Sequence, residues 1–317
     1  MNHRLNKNAI ILAGSSSVHI GQKVADKLGE KLEVVKARKF SDGEIFVKVE
    51  SSLRGKDIFY FQNTAEPAND NLMELLLTLD AIKRSSPKSV TLIMPYFGYA
   101  RQDRKTEART PISAKMVADL ISAVGINKLV TLDIHADQIQ GFFNCPVDNL
   151  YGANIFVNHL KPMITENTII ASPDAGGVVR ARYFAKRLNL SDLAIIDKRR
   201  EKANESEVMN VLGNVEGKDV IIIDDMVDTG GTLVKAAMAF KKHGAKSVKA
   251  CITHGVLSGA AFGNIQRGKE SLDELFITDS IHKTGYPSNI TIVDSSDLFS
   301  EVTKRLSNGE SLSSLFE

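Results

Sequence analysis

The sequence contains no tryptophan, only two cysteines, and aromatic residues make up just 6% of its 317 positions. Cys145 and Cys251 lie far apart and have no metal-ligand spacing, so neither a disulfide framework nor a zinc site is indicated. No apolar run approaches the length that spans a membrane, and the polar start of the chain does not lead into a signal-peptide core. We therefore expect a cytoplasmic protein with no membrane partner.

The sequence also has no large excess of positive or negative charge. The 40 Lys and Arg residues nearly balance the 38 Asp and Glu residues, which leaves a formal net charge of +2. This balance gives no support for a nucleic-acid surface, so no nucleic-acid partner is expected. The hydrophobic fraction of 43% and the charged fraction of 25% are typical of a globular protein, and the length suits about two domains.

Two familiar nucleotide-binding signatures are absent as well. No G-x-G-x-x-G follows a predicted strand. The segment 213–219 imitates a Walker A loop, but it has one residue too few between its glycines and carries Asp219 where Ser or Thr would hold magnesium. It also precedes its strand instead of following one. If this protein uses ATP, it binds the nucleotide in another way.

Short apolar runs alternate with amphipathic stretches along most of the chain, a pattern that predicts an α/β fold with mainly parallel sheets flanked by helices. Strands are predicted at 9–13, 57–61, 89–94, 129–132, 168–171, 193–196, 220–223 and 247–252, and helices at 113–124, 177–188, 232–243 and 295–306. The pattern restarts near 148–152. We expect a first domain over 1–150, to which the tail 307–317 returns, and a second domain over 151–306.

The most informative segment is 220–232, where a buried strand is followed by Asp224, Asp225 and then a turn rich in glycine and hydroxyl groups. Backbone N–H groups at the start of the next helix favour an anion, and Gly230 and Gly231 allow close approach of the backbone. Carboxylates accept hydrogen bonds from sugar hydroxyls or hold a cation. The segment therefore predicts a ribose-phosphate cradle, although a plain turn with helix-capping residues is the alternative that local chemistry leaves open.

Polar groups follow several other predicted strands, where ligands of open α/β sheets collect. They are Arg101 with Gln102, His135, Asp174, and the cationic run 197–202. Arginine pairs grip phosphate, and a histidine with an aspartate gives a thin shell for Mg²⁺, which also takes waters and substrate phosphates as ligands. Each segment alone also fits a solvated charged loop. The turn Phe40-Ser41-Asp42-Gly43-Glu44 alone favours a plain Asp-Gly hairpin.

Taken together, these segments resemble the ribose-phosphate diphosphokinase family, also called phosphoribosyl pyrophosphate synthetases. The matching blocks run in the family's order: FSDGE at 40–44, NDNLMELL at 69–76, PYFGYARQDR at 95–104, DIHADQIQGFF at 133–143, SPDAGG at 172–177, DKRR at 197–200 and DDMVDTGGT at 224–232. The resemblance implies two successive phosphoribosyltransferase-like domains. It also implies transfer of a diphosphoryl group from ATP to the 1-hydroxyl of ribose 5-phosphate, for nucleotide biosynthesis.

The resemblance also implies residue roles. Lys198 and Arg200 would be catalytic, and His135 and Asp174 would hold Mg²⁺. ATP would be bound by Phe40, Asp42, Gly43, Glu44, Arg101 and Gln102, and ribose 5-phosphate by Arg200, Asp224, Asp228, Thr229, Gly230, Gly231 and Thr232. In the family the FSDGE turn comes from a neighbouring subunit, so a homo-oligomer is expected, with a hexamer as its form. No side chain is an obvious general base.

Some positions depart from the family pattern. The loop 105–111 is about one residue shorter than in phosphate-activated members and carries Glu107, which bears on phosphate and ADP as effectors. Glu201 replaces a common proline after the Arg pair. Two other functions compete with the diphosphokinase. A phosphoribosyltransferase shares the Asp-Asp-Thr-Gly turn but needs no ATP side, and a non-catalytic regulatory subunit would not need Lys198, His135 and Asp174 intact.

Overall fold

The structure, a computed structural model, describes residues 5–199 and 208–316. The chain divides into two compact units. Unit 1 comprises residues 1–151, 280–282 and 295–317, and unit 2 comprises residues 152–279 and 283–294. Cys145 and Cys251 are free thiols. Among the described helices, none is long and apolar enough to cross a membrane.

In unit 1, strands and helices alternate from the first strand onward. The elements are β1 (Ala9–Ala13), α1 (Val18–Leu28), β2 (Leu32–Val34), β3 (Lys36–Lys39), β4 (Ile45–Lys48), β5 (Asp57–Phe61), α2 (Ala68–Arg84), β6 (Ser89–Met94), α3 (Ser113–Val124), β7 (Lys128–Leu132) and β8 (Val147–Leu150). The described part of unit 1 has a six-stranded sheet in the order β2-β1-β5-β6-β7-β8, with every pairing parallel. Strands β3 and β4 form a separate antiparallel hairpin.

Hydrophobic pattern explains this arrangement. The sheet strands are apolar over most of their length, as expected for strands that helices cover on both faces. Helix α2 turns Leu75, Leu79 and Ile82 toward the core, and these positions lie about one helical turn apart. In the hairpin, β4 alternates between half-buried and exposed residues and packs near α2, whereas every residue of β3 is exposed.

Unit 2 repeats the same alternation. Its elements are α4 (Ala153–Leu160), β9 (Thr168–Ser172), α5 (Val178–Arg187), β10 (Leu193–Arg199), β11 (Val208–Leu212), β12 (Asp219–Val227), α6 (Gly231–Lys242), β13 (Ser247–Gly255), α7 (Ala261–Arg267), β14 (Glu274–Thr278) and β15 (Ile290–Val293). In the described residues its sheet has seven strands in the order β11-β10-β9-β12-β13-β14-β15. Only the β10–β11 pair within it is antiparallel.

The order of strands in unit 2 creates a topological switch point. From β9 the chain proceeds to β10 on one side, whereas β12, the other neighbour of β9, leads to β13 on the opposite side. At such a switch point, open α/β sheets bind ligands in a crevice outside the carboxyl ends of the strands, here the ends of β9 and β12. The loop after β9 and the loop after β12 both border this crevice.

The last helix, α8 (Ser296–Asn308), belongs to unit 1. It packs against α1, where Lys27 Nζ lies 2.6 Å from Asp297 Oδ1, and Phe299 makes an edge contact with Phe61 at a centroid distance of 6.4 Å. The sequence-based division placed residues 151–306 together in the second domain. In the structure the segments 280–282 and 295–306 group with unit 1 instead, and α8 packs there against α1 and against Phe61 of β5.

Most predicted strands and helices occur within a few residues of their expected bounds, and α3 matches its predicted range. The main differences are at strand ends. Strand β12 continues from Ile223 to Val227 and β13 continues to Gly255, since the two pair in parallel beyond the apolar run. Asp224 and Asp225 therefore lie within a strand and not in the turn.

Phe240 tests the packing of α6 on the sheet. Its side chain is 0% exposed, whereas Met238 on the same helix is 54% exposed. We expect Phe240→Ala to lower the free energy of unfolding by about 3–5 kcal/mol, because a buried ring is lost and a cavity remains. The control Met238→Ala should change it by less than about 0.5 kcal/mol. Urea unfolding followed by circular dichroism measures both, and equal effects would contradict this packing.

Candidate active site

The carboxyl edge of the unit 2 sheet collects most of the residues predicted for the sugar phosphate. Strand β12 carries Asp224 and Asp225 and is followed by the turn 228–230. Its neighbour β9 is followed by Asp174, in the loop that leads into α5. Parallel pairing places the ends of β9 and β12 side by side, so Asp174, Asp224 and Asp228 lie at one edge of one sheet, as the sequence predicted.

Asp224 and Asp225 form a strained electrostatic pair. Asp225 is only 4% exposed, and its backbone N–H donates to Asp224 Oδ1 over 2.9 Å. Burial raises the pKa of Asp224 well above its usual range, and the neighbouring Asp225 raises it further. Arg180 on α5 acts in the opposite sense, with Nη1 3.7 Å from Asp224 Oδ1 and 3.4 Å from Asp225 Oδ1. The crevice therefore favours a ligand that donates hydrogen bonds to a carboxylate.

The turn after β12 has the backbone geometry of an anion cradle. Gly230 has a φ of 76°, in the left-handed region that favours glycine, and α6 begins at Gly231. The first N–H groups of α6 have no partners within the helix and lie at the positive end of its dipole. Thr229 and Thr232 are exposed and add hydroxyl donors beside them. All of the turn residues predicted to bind ribose 5-phosphate, 228–232, are thus contiguous at this helix start.

Asp174 is fixed by its own loop. Its Oδ1 accepts a 3.0 Å hydrogen bond from the Gly177 N–H, and its carbonyl oxygen accepts one of 2.6 Å from Ser172 Oγ. A Cβ at Gly177 would lie 2.7 Å from Ser172 Oγ, so only glycine fits there. These two hydrogen bonds hold the Asp174 carboxylate in place at the carboxyl edge of the sheet.

The structure describes the cationic run after β10 as far as Arg199. Strand β10 extends to Arg199, beyond the predicted end at Ile196, and pairs through Lys198 with Met209 of β11. Lys198 is thus on a strand that borders β9. The Lys198 side chain, Arg200 and Glu201 lie outside the described part of the chain, so their predicted roles stay predictions.

The predicted ATP residues Arg101 and Gln102 lie on the carboxyl edge of the unit 1 sheet. Both are exposed and follow β6. Gln102 is anchored to the start of α3, where Ser113 Oγ donates to Gln102 Oε1 over 2.6 Å and the Ala114 N–H donates to its carbonyl oxygen over 3.2 Å. These two hydrogen bonds fix the Gln102 backbone and its Oε1 against the start of α3.

His135 lies on the same edge of unit 1, after the neighbouring strand β7, and is exposed. The two loops are joined, because Gln138 Nε2 donates to Asp103 Oδ2 over 2.9 Å. The structure thus brings Arg101, Gln102 and His135 to one edge of unit 1. Asp174, the other predicted metal ligand, belongs to unit 2.

The turn predicted to approach adenine caps the β3–β4 hairpin. Phe40 N–H donates to the Glu44 carbonyl oxygen over 2.8 Å, Asp42 Oδ1 accepts from the Glu44 N–H, and Gly43 has a φ of 94°. Phe40 is 44% exposed and stacks on the Arg38 guanidinium, 4.6 Å from its centroid. The turn has the Asp-Gly hairpin form expected from its sequence, and its exposed aromatic face is available to a ligand or to another chain.

Magnesium fits the chemistry of these donors. In residues 5–199 and 208–316 no group of three or more His, Cys, Asp and Glu side chains is arranged to hold a metal ion. Mg²⁺ commonly keeps waters and uses one or two carboxylates together with substrate phosphates. Burial and the neighbouring Asp225 raise the pKa of Asp224, so a nearby cation would stabilise its ionised form. The donor set therefore suits a cation that arrives with a phosphorylated substrate.

Arg180 and Asp225 were missed as site residues by sequence reasoning. Arg180 lies in the first turn of α5, and its spacing from Asp225 in sequence gives no sign that the two meet. Asp225 was interpreted together with Asp224 as an acceptor for sugar hydroxyls or a holder of a cation, but the family resemblance assigned a role to Asp224 alone. The signal that points to both is structural, because parallel pairing of β9 and β12 brings α5 over the end of β12.

Comparison with known proteins assigns both units. Residues 9–125 match the family model described as the N-terminal domain of ribose phosphate pyrophosphokinase, and residues 154–275 match the phosphoribosyl transferase domain. A curated ribose-phosphate pyrophosphokinase of Campylobacter jejuni is 54% identical over 306 residues, which cover 96% of this chain and 98% of that protein. The chain belongs to the ribose-phosphate pyrophosphokinase family.

Other members of the ribose-phosphate pyrophosphokinase family agree with this assignment. A relative from Helicobacter pylori is 54% identical over 307 residues, covering 96% of this chain and 95% of that one. The crystal structure of phosphoribosylpyrophosphate synthetase from Mycobacterium smegmatis matches with a TM-score of 0.87 and 36% identity, over 96% of this chain and all of that one. The predicted family and fold class are therefore confirmed, and the protein is an enzyme.

Asp224 gives a prediction with a defined sign. Its pKa is raised on folding, so the folded chain is penalised above the unfolded value of 3.8 and the penalty is complete above the folded pKa. Asp224→Asn should raise the melting temperature at neutral pH, and its advantage over the wild type should shrink as pH falls toward 3.8. Because the sequence predicts that Asp224 binds ribose 5-phosphate, the same variant should bind this sugar phosphate about 10- to 150-fold more weakly, through loss of a charged hydrogen bond.

Differential scanning calorimetry across pH measures the first effect and isothermal titration calorimetry the second. The matched control is Asp219→Asn, at the opposite end of β12, where Asp219 accepts from Ser247 Oγ over 2.6 Å. This control should leave binding unchanged. A lower melting temperature for Asp224→Asn at neutral pH would contradict the electrostatic account of the pair.

Proposed function

We propose that this protein transfers the diphosphoryl group of ATP to the 1-hydroxyl of ribose 5-phosphate, which yields phosphoribosyl pyrophosphate and AMP for nucleotide biosynthesis. The observation that carries the proposal is the unit 2 crevice, where a carboxylate pair adjoins a glycine turn at a helix start. The match of residues 9–125 to the N-terminal pyrophosphokinase domain separates it from a phosphoribosyltransferase, which uses the same turn without that domain.

The acceptor binds at the end of β12 in this proposal. The 5-phosphate takes hydrogen bonds from backbone N–H groups of the turn 228–232 and from the hydroxyls of Thr229 and Thr232, with the α6 dipole behind them. Asp224 and Asp228 accept hydrogen bonds from the ribose hydroxyls. Because the carboxylates of Asp224 and Asp228 repel the phosphate, the ribose hydroxyls face these carboxylates and the 5-phosphate faces the N–H groups of the turn.

ATP binds through unit 1 in this proposal. Arg101 contacts its phosphates, and the anchored Gln102 presents its amide nitrogen to the nucleotide. The turn of Phe40, Asp42, Gly43 and Glu44 serves the adenine of a neighbouring subunit, and Phe40 offers an exposed ring for stacking. We propose that the subunits form a homohexamer on this account, that phosphate and ADP act as effectors, and that the enzyme is cytoplasmic.

The chemical step is a displacement at the β-phosphorus of ATP. The 1-hydroxyl oxygen of the sugar forms a bond to this phosphorus, the bond to the bridging oxygen of AMP breaks, and the hydroxyl proton passes to water. The hydroxyl is part of a hemiacetal and is more acidic than an ordinary alcohol, so no protein base is assigned. Lys198 and Arg200 neutralise charge that develops on the transferred group.

Mg²⁺, when bound, neutralises the phosphate oxygens of ATP. His135 and Asp174 are the residues proposed to hold it. The loop of Asp174 fixes its carboxylate through the Gly177 N–H at 3.0 Å, which orients that ligand before the metal arrives.

One assay tests the proposal. The purified protein is incubated with Mg-ATP and ribose 5-phosphate across a range of phosphate concentrations, and AMP and phosphoribosyl pyrophosphate are followed by chromatography. Equal amounts of the two products are expected. Absence of AMP at every phosphate concentration would identify a non-catalytic subunit instead. Formation of ADP would show transfer of one phosphoryl group and would also overturn the proposal.

Lys198→Ala tests the cationic run. Removing one positive group that acts on the developing charge should lower kcat about 100- to 1000-fold, while the KM values for both substrates change little. Lys235→Ala, on the exposed face of α6, is the matched control and should retain full turnover. Steady-state kinetics with saturating second substrate measures both variants. An unchanged kcat for Lys198→Ala would remove this residue from its proposed role.

A further inference from the structure

We propose that the segment from Leu257 to Ile265, the turn after β13 and most of α7, holds the sugar-phosphate cradle in its binding conformation, with Asn264 as a positioning residue. The inference rests on the proposed function, because it assumes that the turn 228–232 binds ribose 5-phosphate. None of the blocks that carry the family resemblance includes this segment.

The segment contacts the cradle turn residue by residue. The Leu257 N–H donates to the Val227 carbonyl oxygen over 3.1 Å, and Ser258 Oγ donates to Asp228 Oδ1. Asn264 Nδ2 donates to the Thr229 carbonyl oxygen over 2.9 Å. Ile265 lies beside Gly230. Four consecutive residues, 227–230, are thus each held by the one segment, which is more than closing a loop requires.

The contact at Gly230 limits how the turn can relax. A Cβ at this position would lie 3.1 Å from Ile265 Cγ1 and 3.5 Å from the Ala261 carbonyl oxygen. Ile265 is fully buried in the core of unit 2, so it cannot move aside freely. Helix α7 therefore forms a fixed surface on one side of the turn, and the proposed anion site lies on the other side.

Asn264 controls the direction of one peptide group. In a trans peptide the carbonyl and the N–H point to opposite sides. The Thr229 carbonyl is turned toward α7 by its hydrogen bond to Asn264, so the Gly230 N–H is turned away from α7. If the Thr229–Gly230 peptide group were flipped, it would present the Thr229 carbonyl oxygen to the phosphate instead of the Gly230 N–H. Asn264 thereby selects the orientation that suits an anion.

Arg267 fixes the orientation of the Asn264 side chain. Its Nη2 donates to Asn264 Oδ1 over 2.6 Å, so the oxygen of the amide faces Arg267 and the nitrogen faces Thr229. An asparagine amide without such a partner could rotate and offer its oxygen to the Thr229 carbonyl, which would repel it. The two hydrogen bonds, from Arg267 to Asn264 and from Asn264 to Thr229, thus fix the orientation of the Asn264 amide and of the Thr229 carbonyl.

Asn264→Leu tests the proposal, because leucine keeps a similar shape without a donor or a charge. The Kd for ribose 5-phosphate should rise about 3- to 10-fold, the effect of losing one neutral hydrogen bond. The Kd for ATP and the melting temperature should stay close to the wild-type values. Isothermal titration calorimetry of the full-length protein with each ligand, together with calorimetric melting, gives all three quantities.

The matched control is Asn289→Leu. Asn289 Nδ2 also donates to a backbone carbonyl oxygen in unit 2, that of Leu272, over 3.4 Å. Asn289, however, comes directly before β15, at the amino end of this strand and not at the carboxyl edge where the cradle lies. It should not change the Kd for ribose 5-phosphate. If Asn264→Leu does not fold, Asn264→Ala replaces it, because alanine suits a helix interior. The same rise in Kd is expected for this variant.

Two failures can be told apart. If the wild-type protein binds ribose 5-phosphate and the Asn264 variants bind it equally well, the positioning role is overturned while the proposed function stands. An equal loss of affinity for ATP, or an equal effect of Asn289→Leu, also overturns that role, since it indicates a general loss of stability. If the wild-type protein binds no ribose 5-phosphate, the proposed function fails and the inference fails with it.

Discussion

The parallel pairing of β9 with β12 is the constraint on which the rest of the site depends. It places the loop after β9 and the loop after β12 side by side at the carboxyl edge of the sheet, where the crevice lies. It also brings α5 over the end of β12. Asp174 enters from one strand and Asp224 from the other. The helix that begins at Gly231 then directs its N–H groups into the same space. Each element supplies one kind of group, and the sheet alone determines that the groups meet.

This arrangement brings two carboxylates together, which destabilises the protein unless a ligand interacts with them. Asp224 and Asp225 repel each other in a largely buried position, so the pKa of Asp224 is raised, and Arg180 compensates only in part at distances of 3.4 and 3.7 Å. A ligand with hydroxyl donors, or a cation, relieves the repulsion when it binds. Proteins commonly retain such destabilising groups at sites of function. The turn beside the pair accepts hydrogen bonds from two side chains of the segment 257–265, those of Ser258 and Asn264.

The sequence allowed much of this to be predicted. Apolar runs bounded by helical patterns located the strands, because strands buried on both faces need continuous apolar residues. The turn at 228–232 was recognisable because phosphate binding and glycine geometry leave a local signature. Strand lengths were less accessible: β12 continues through Asp224 and Asp225, since its pairing with β13 outweighs the weak strand preference of aspartate. The closing helix was found, but its membership of unit 1 was not, because its partner α1 lies far away in sequence.

By itself, the sequence determined the fold class, the family, and the chemistry of each strand end, because these follow from local pattern and from residue type. The tertiary structure alone decided which of these groups meet. The contacts of Arg180 with Asp225, of Asn264 with Thr229, and of Gln138 with Asp103 join residues that lie between 35 and 45 positions apart. No local pattern encodes such contacts. They arise only when the strands pair and the helices pack over their ends.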